Sequence, residues 1–430
     1  MDQGRDHLHR ECHVSENDRD QEGLRSRFLK WLEDATDSRI LAIPRFFGFL
    51  YGPIEDRLPL GQAWKTALKR RLPRHVGWIH AFGGTTYLLF LILVVTGVLL
   101  SFYYRPSVVE AYPSLQYLES QVSFGWLVRH AHFWAASLVV ILSFFHFLRV
   151  LVSGGYRSPR ETTWLSGILF FPVLLAFVTS GYLLPWDQWA YWTTTDGIEA
   201  LRGLPVLGGI LTEVFRADEF VSGATLSRFY ATHVILLPWV ALLLISLHFQ
   251  LMRKHGVDPP PDGVVEEGEP FFPNHVLRMF VVLVLTLGVV LSLAMFWPRP
   301  FGPVADPFSP PASLPVLGVP ATILVGAGRL WGGFGLYALL FLFLLLLILP
   351  LVHRSDERSL LRRPVAASVT GVLILLLLTS LAVGWSPPGS AEDYDAVEIP
   401  ALDAVRSEFG APADTGGAGG EEGDGGGDHE

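Results

Sequence analysis

Cysteine is nearly absent from this chain of 430 residues, with Cys12 standing alone. One thiol excludes an intrachain disulfide, a cysteine-ligated iron–sulfur cluster and the C-x-x-C-H attachment of a covalently held haem. Charge is scarce as well. Only 17% of residues are charged and 50% are hydrophobic, and a mean hydropathy of +0.38 is too high for a soluble protein of this size. The formal net charge of −9 misleads, because the segment after Trp385 holds twelve acidic residues against Arg406 alone and leaves the rest close to neutral. Nucleic acid is therefore not an expected partner. The first forty residues are too charged for a cleavable signal peptide. A small HLHRECH group there has metal-ligating residue types, but its polar surroundings offer it no pocket.

What is present in abundance is long runs with little or no charge. Seven are long enough to cross a bilayer as helices: 79–104, 128–150, 163–184, 229–252, 276–297, 334–353 and 365–385. The expected fold is an all-α integral membrane protein, a seven-span helical bundle with a four-helix core and a three-helix C-terminal half. Residues 1–74 form an amphipathic N-terminal region, with apolar and aromatic residues mixed with charge over 24–72, suited to the membrane face. The four-span domain is 75–253, a polar proline-rich linker covers 254–270, the three-span domain is 271–385, and 386–430 is an acidic, glycine-rich tail that cannot build a core. Lys69, Arg70, Arg71 and Arg74 precede the first span; Arg149, Arg157, Arg160, Arg253, Lys254, Arg354, Arg358, Arg362 and Arg363 fall on the same side. The positive-inside rule then sets the N-terminus in the cytoplasm and the C-terminus outside.

Two of the runs carry paired histidines. His132 and His146 are fourteen residues apart, roughly 21 Å along a helix and on nearly one face. His233 and His248 repeat the device fifteen residues apart. An ionisable residue inside a span is costly and points to function. Side by side, such helices would make two bis-imidazole pockets in series, the geometry of two haems, with His132 and His233 holding the outer one and His146 and His248 the inner. Gly83 and Gly97, then Gly167 and Gly181, are each fourteen apart on the flanking spans, where a flat macrocycle needs a helix without side chains. Glycine is also a common packing residue in membranes, but two pairs at the histidine interval favour the haem reading. Arg129, Arg149 and Arg228 lie beside the ligand positions, where haem propionates would need cationic partners. Arginines at span ends also snorkel. His130 is expected not to ligate, and His80, His255, His275 and His353 to be interfacial.

The segments HAFGGTTYLLFLILVVTGVLLSFYYRP, SGYLLPWDQWAYW, TLSRFYATH and HFQLMRKHG resemble the cytochrome b family of quinol-oxidising bc complexes. The shorter chloroplast and cyanobacterial type is the most similar, and it shares the fifteen-residue second spacing. FFPNHVLRM, ADPF and LRRPVA are similar to the separate three-span subunit that accompanies that type, so roughly 70–385 reads as the two fused. Two departures stand out. Ala81 occupies the position of the cysteine that holds an extra haem in the chloroplast type, so that attachment is missing. The family's Pro-Glu-Trp-Tyr motif after ADPF is replaced by Pro315, Val316, Leu317 and Gly318, with no acidic residue between Ser309 and Gly333. Its glutamate takes a proton from quinol; here Asp187 of PWDQ, or Asp306 of ADPF, is the alternative that sequence proximity offers.

The resemblance implies a di-haem cytochrome b with two non-covalent haem b groups and quinone as substrate. Its partners would be a Rieske-type iron–sulfur protein and a cytochrome c-type subunit, in a homodimeric complex of the bacterial inner membrane. The alternative is a non-bifurcating di-haem conduit between a periplasmic electron-transfer partner and the quinone pool, which the missing glutamate favours. A histidine-relay transporter would leave the paired glycines without a purpose.

Overall fold

A computed structural model describes residues 61, 69, 71–202, 207–258, 268–309, 311, 333–352 and 359–385. The HLHRECH group, almost all of the amphipathic region, the centre of the 254–270 linker, Val316, His353 and the tail after Trp385 lie outside these residues. Six helical stretches are long and apolar enough to cross a membrane: Trp78–Ser101, Gly125–Ser153, Glu161–Leu183, Gly223–His255, Phe271–Phe296 and Pro364–Ala382. The expected seventh coincides with a helix at Gly333–Val352, within which Leu340–Val352 forms a shorter apolar stretch. The architecture is an all-α membrane bundle.

The chain divides into two compact units, one of Met1–Arg71 with Pro270–Phe272 and one of Leu72–Glu269 with Pro273–Glu430. The second holds, in order, α1 (Ala81–Ser101), α2 (Ala111–Gln121), α3 (Gly125–Ser153), α4 (Glu161–Ile168), α5 (Phe170–Leu183), α6 (Gln188–Arg202), α7 (Leu207–Arg216), α8 (Gly223–Ala231), α9 (Leu237–His255), α10 (Val276–Phe296), α11 (Gly333–Val352) and α12 (Pro364–Trp385). The long helices are apolar on every side. Val95, Leu243, Leu285 and Leu375 all point outward with about 60% or more of their surface free, as helices solvated by lipid do.

Helix α3 is the centre of the bundle, packing against α1 and α10. Its Ala131 and Ala135 are buried together with Ala294 of α10 and Leu89 of α1. Small side chains one turn apart let backbones approach closely, which substitutes for the hydrophobic drive that lipid does not supply. Toward its C-terminus α3 meets α4 and the C-terminal helices α11 and α12. Phe147 and Leu151 join Trp164 and Ile168 of α4, Leu346 and Leu349 of α11, and Ala366 and Val369 of α12.

The end of α3 is fixed by a glycine and by a distant arginine. Gly154 adopts a left-handed φ of 71°, and Gly155 N–H reaches back to the Val150 carbonyl at 2.9 Å, closing the helix with the turn glycine permits. The fully buried Arg363, just ahead of α12, donates to the carbonyls of Leu151 (3.2 Å) and Val152 and to the Tyr156 hydroxyl (3.3 Å). A cation on terminal carbonyls complements the helix dipole. Trp164 adds an indole N–H bond to the Leu346 carbonyl at 2.8 Å.

Two spans are interrupted where proline demands it. The third breaks at Leu169 into α4 and α5, with Pro172 in the first turn of α5. The fourth passes from α8 to α9 through a π-helical turn, Thr232–Leu236, in which Leu237 N–H bonds to the Thr232 carbonyl five residues back. Pro238 follows at once and has no N–H to give. The wide turn absorbs one extra residue. It therefore explains why His233 and His248 are fifteen apart and His132 and His146 fourteen.

At one end of the bundle the short helices α2, α6, α7 and α8 form a cap around Leu118, Trp186, Tyr191, Val221 and Leu226. In α2 the buried Ala111, Leu115 and Leu118 recur at helical intervals.

Candidate haem-ligating site

The four histidines meet in two pairs. The ring centres of His132 and His233 are 6.3 Å apart, and those of His146 and His248 are 6.5 Å apart. Two metal–imidazole bonds of about 2 Å, with roughly 1.1 Å from each nitrogen to its ring centre, give a separation near these values. Ordinary ring contacts in this bundle reach similar separations, as Phe144 and Phe147 do at 6.3 Å, so the weight falls on the recurrence of the same spacing at both histidine pairs. Among the described residues no group of three or more His, Cys, Asp or Glu could hold a metal ion. A two-imidazole set suits a metal whose remaining ligands arrive with it, as iron does in a macrocycle.

Each predicted glycine faces one histidine. A Cβ on Gly181 would stand 2.5 Å from His233 Cε1, and one on Gly83 would stand 2.9 Å from His146 Cε1. At Gly97 the distance to His132 Cε1 would be 3.3 Å, and at Gly167 to His248 Cε1 3.5 Å. The glycines thus let imidazole rings lie directly against the backbones of α1, α4 and α5. The spacing matches because ligands and glycines share the same helical rise.

Cationic groups with unfilled donors gather at the His132–His233 end. Buried Arg129 donates to Glu119 and, at 3.1 Å, to the Arg299 carbonyl, and its guanidinium lies 3.7 Å above the Phe301 ring. Among the described residues its Nη2 has no partner, and neither Nε nor Nη2 of buried Arg299 makes a hydrogen bond, the Asp187 carboxylate being 3.8 Å away. Unfilled guanidinium donors in a dry site are expensive. They fit an anionic oxygen group such as the carboxylates a haem carries. Arg299 was not among the sequence candidates; it lies 170 residues from Arg129, and only the fold joins them.

The other predicted residues are placed as follows. Arg149 pairs with Asp258 at 2.9 Å. Burial works to raise the Asp258 carboxyl, but the Arg149 charge and hydrogen bonds to it prevail and hold it below the usual carboxylate range. Arg228 is exposed and donates to the carbonyls of Glu213 and Val214 at the end of α7, outside the buried guanidinium pair. Asp187 is fully buried; its Oδ1 accepts the Ala190 N–H (2.8 Å) and its Oδ2 the Gly302 N–H (3.2 Å). It tethers α6 to the 299–306 loop. Asp306 accepts the Phe308 N–H at 2.9 Å. His130 turns to Glu119, with its Nε2 3.0 Å from Oε1. Burial favours a raised Glu119 carboxyl, yet the His130 hydrogen bond and the Arg129 charge outweigh it and depress it. His255 contacts the Thr163 hydroxyl at 3.0 Å. At the His146 end, both ring nitrogens of His80 are buried without a hydrogen-bond partner among the described residues, and His75 meets its ring edge-on at 5.8 Å.

The cytochrome b/b6/petB family profile matches residues 68–256. Cytochrome b6 of Mastigocladus laminosus is 38% identical over 211 residues, which is 98% of that protein and 49% of this chain. The chain belongs to the cytochrome b/b6 family. Cytochrome b6 of Auxenochlorella protothecoides matches at 39% over the same length and coverage. A chain of a solved hyperthermophilic respiratory Complex III superposes with a TM-score of 0.69 and 26% identity, covering 78% of this chain and 91% of that one. That likeness extends beyond the half that b6 covers and so takes in C-terminal helices that cytochrome b6 does not match. Fusion of a b6-like half to a partner subunit accounts for both results.

Proposed function

We propose that this cytochrome b is the membrane subunit of a bc-type quinol oxidoreductase, with His132 and His233 ligating one haem b and His146 and His248 the other. The observation that carries the reading is the pair of imidazole separations, 6.3 and 6.5 Å, each beside its own glycines. Bound haems would supply one-electron carriers in series across the membrane. The protein's part is to orient four imidazoles, admit their rings against glycine backbones, and offer Arg129 and Arg299 to anionic oxygens. Gly83, Gly97, Gly167 and Gly181 belong to the haem-binding set, with Arg149 near the second pair. A Rieske-type iron–sulfur protein, a cytochrome c-type subunit and a second copy of the chain complete the complex. It sits in a bacterial inner membrane with the His132 end outside. Pyridine haemochrome assay of the purified chain should give two haems per polypeptide, all extracted by acidified acetone. One haem, or haem retained on the denatured chain, would refute this.

The non-bifurcating conduit keeps one observation in its favour. Val316 replaces the family glutamate, and Asp187 is fully buried with each carboxylate oxygen already accepting one backbone N–H. A proton acceptor must lie within hydrogen-bond reach of quinol, and valine cannot serve. Introducing Val316→Glu should raise quinol oxidation, timed as reduction of the His146–His248 haem with the iron–sulfur partner present. No response would mark that outer site as abandoned and leave the conduit.

A further inference from the structure

Three of the four glycines that face histidines are immediately preceded by a hydroxyl residue: Thr96–Gly97, Ser166–Gly167 and Ser180–Gly181. Phe82 precedes the fourth, Gly83. Each hydroxyl is buried and lies against the Nδ1 atom of the same histidine that its glycine faces. The separations are 2.8 Å for Thr96 and His132, 3.1 Å for Ser180 and His233, and 2.9 Å for Ser166 and His248. Each also reaches a carbonyl of its own helix at a shorter distance: Ile92 at 2.7 Å, Ala176 at 2.5 Å and Thr163 at 2.8 Å. A hydroxyl has one proton. The shorter contact takes it, in the back-bond that serine and threonine make within helices, so the oxygen is left only as an acceptor. Its partner must then be an Nδ1–H, and the neutral ring carries its lone pair on Nε2, the atom free to bind a metal.

We infer that Thr96, Ser166 and Ser180 are positioning residues that set the tautomer and ring orientation of His132, His248 and His233, leaving His146 as the one of the four with no hydroxyl partner among the described residues. This rests on the haem-ligating reading above. An acceptor on Nδ1–H makes the ligand more basic and stabilises the oxidised metal, so the first pair is held by two hydroxyls and the second by one. The asymmetry gives the two sites different tuning from otherwise matched ligands.

Redox titration and low-temperature EPR of the purified chain test it. Thr96→Val and Ser180→Ala should each shift the potential of the His132–His233 haem to more positive values and change its g-values, with the other haem unmoved. Ser166→Ala should act on the second haem alone, and Thr96→Ser should restore the parent values. Should Thr96→Val fail to assemble, Ser180→Ala carries the same test with the smaller change. Full haem occupancy with unaltered potentials and g-values in all three variants would overturn the inference. The carbonyls of Leu93, Phe177 and Thr163, which also face these rings, would then be the acceptors. A parent chain without two bis-imidazole haem signals would instead sink the ligation reading beneath it.

Discussion

His132→Ala and His233→Ala are each expected to eliminate one haem, the same one, and His146→Ala and His248→Ala to eliminate the other. The assignment follows from ring proximity: His132 faces His233 and His146 faces His248. Loss of one imidazole would leave that haem with a single protein ligand. The chain should fold, because Leu89, Ala131, Ala135 and Val290 pack α1, α3 and α10 without either ring. Haem content should fall from two to one per chain in every single variant. Optical redox difference spectra would then show the same remaining band for both members of a pair. Two members of a pair removing different bands would disprove the pairing.

The second large effect is a ranking among four alanines. Gly181→Ala and Gly83→Ala place a methyl 2.5 and 2.9 Å from an imidazole carbon, closer than real Cβ atoms come; Gly97→Ala gives 3.3 Å, and Gly167→Ala 3.5 Å, an ordinary contact. Overpacking of this kind costs about 1–3 kcal/mol. The histidine can relieve it only by leaving its position, since each glycine lies within a helix packed on its neighbours. Haem retention should therefore follow the order Gly167→Ala, Gly97→Ala, Gly83→Ala, Gly181→Ala, from near parental to almost none for the affected haem. Alanine opposes the intrinsic destabilisation that glycine brings to a helix, so a fall in haem content cannot be assigned to weaker helix propensity. Equal retention across the four would show that the glycines serve only helix packing.

Much of the site was legible because membrane helices enforce period. Histidines and glycines at the same interval must share faces at the same depths, so their convergence could be read from spacing alone. The spacing of fifteen stood in the sequence without its cause, which is the wide turn at Thr232–Leu236 ahead of Pro238. The hydroxyls before three glycines were in plain view. They carried no signal by themselves, since serine and threonine commonly bond within their own membrane helix. Arg299 was invisible for a different reason: its partners Arg129, Phe133 and Tyr182 come from elements far away in sequence. Arg228 looked equivalent by proximity to His233, but helix phase turns it toward the carbonyls that end α7. Asp187 stands out in sequence as an acid in a distinctive motif, and the fold adds that each of its oxygens accepts one backbone N–H.

The grip of Arg363 on the end of α3 bears on what a peptide bond between the halves is worth. Three acceptors on one fully buried guanidinium, with the Trp164 indole bonded across to α11, hold α3 and α4 to the C-terminal helices α11 and α12 without a covalent bond. The covalent link through residues 259–267 then serves stoichiometry and joint delivery to the membrane more than cohesion. A gene cut there into two would lose the guarantee of equal amounts, while the seam at Arg363 would still tell each product where to dock.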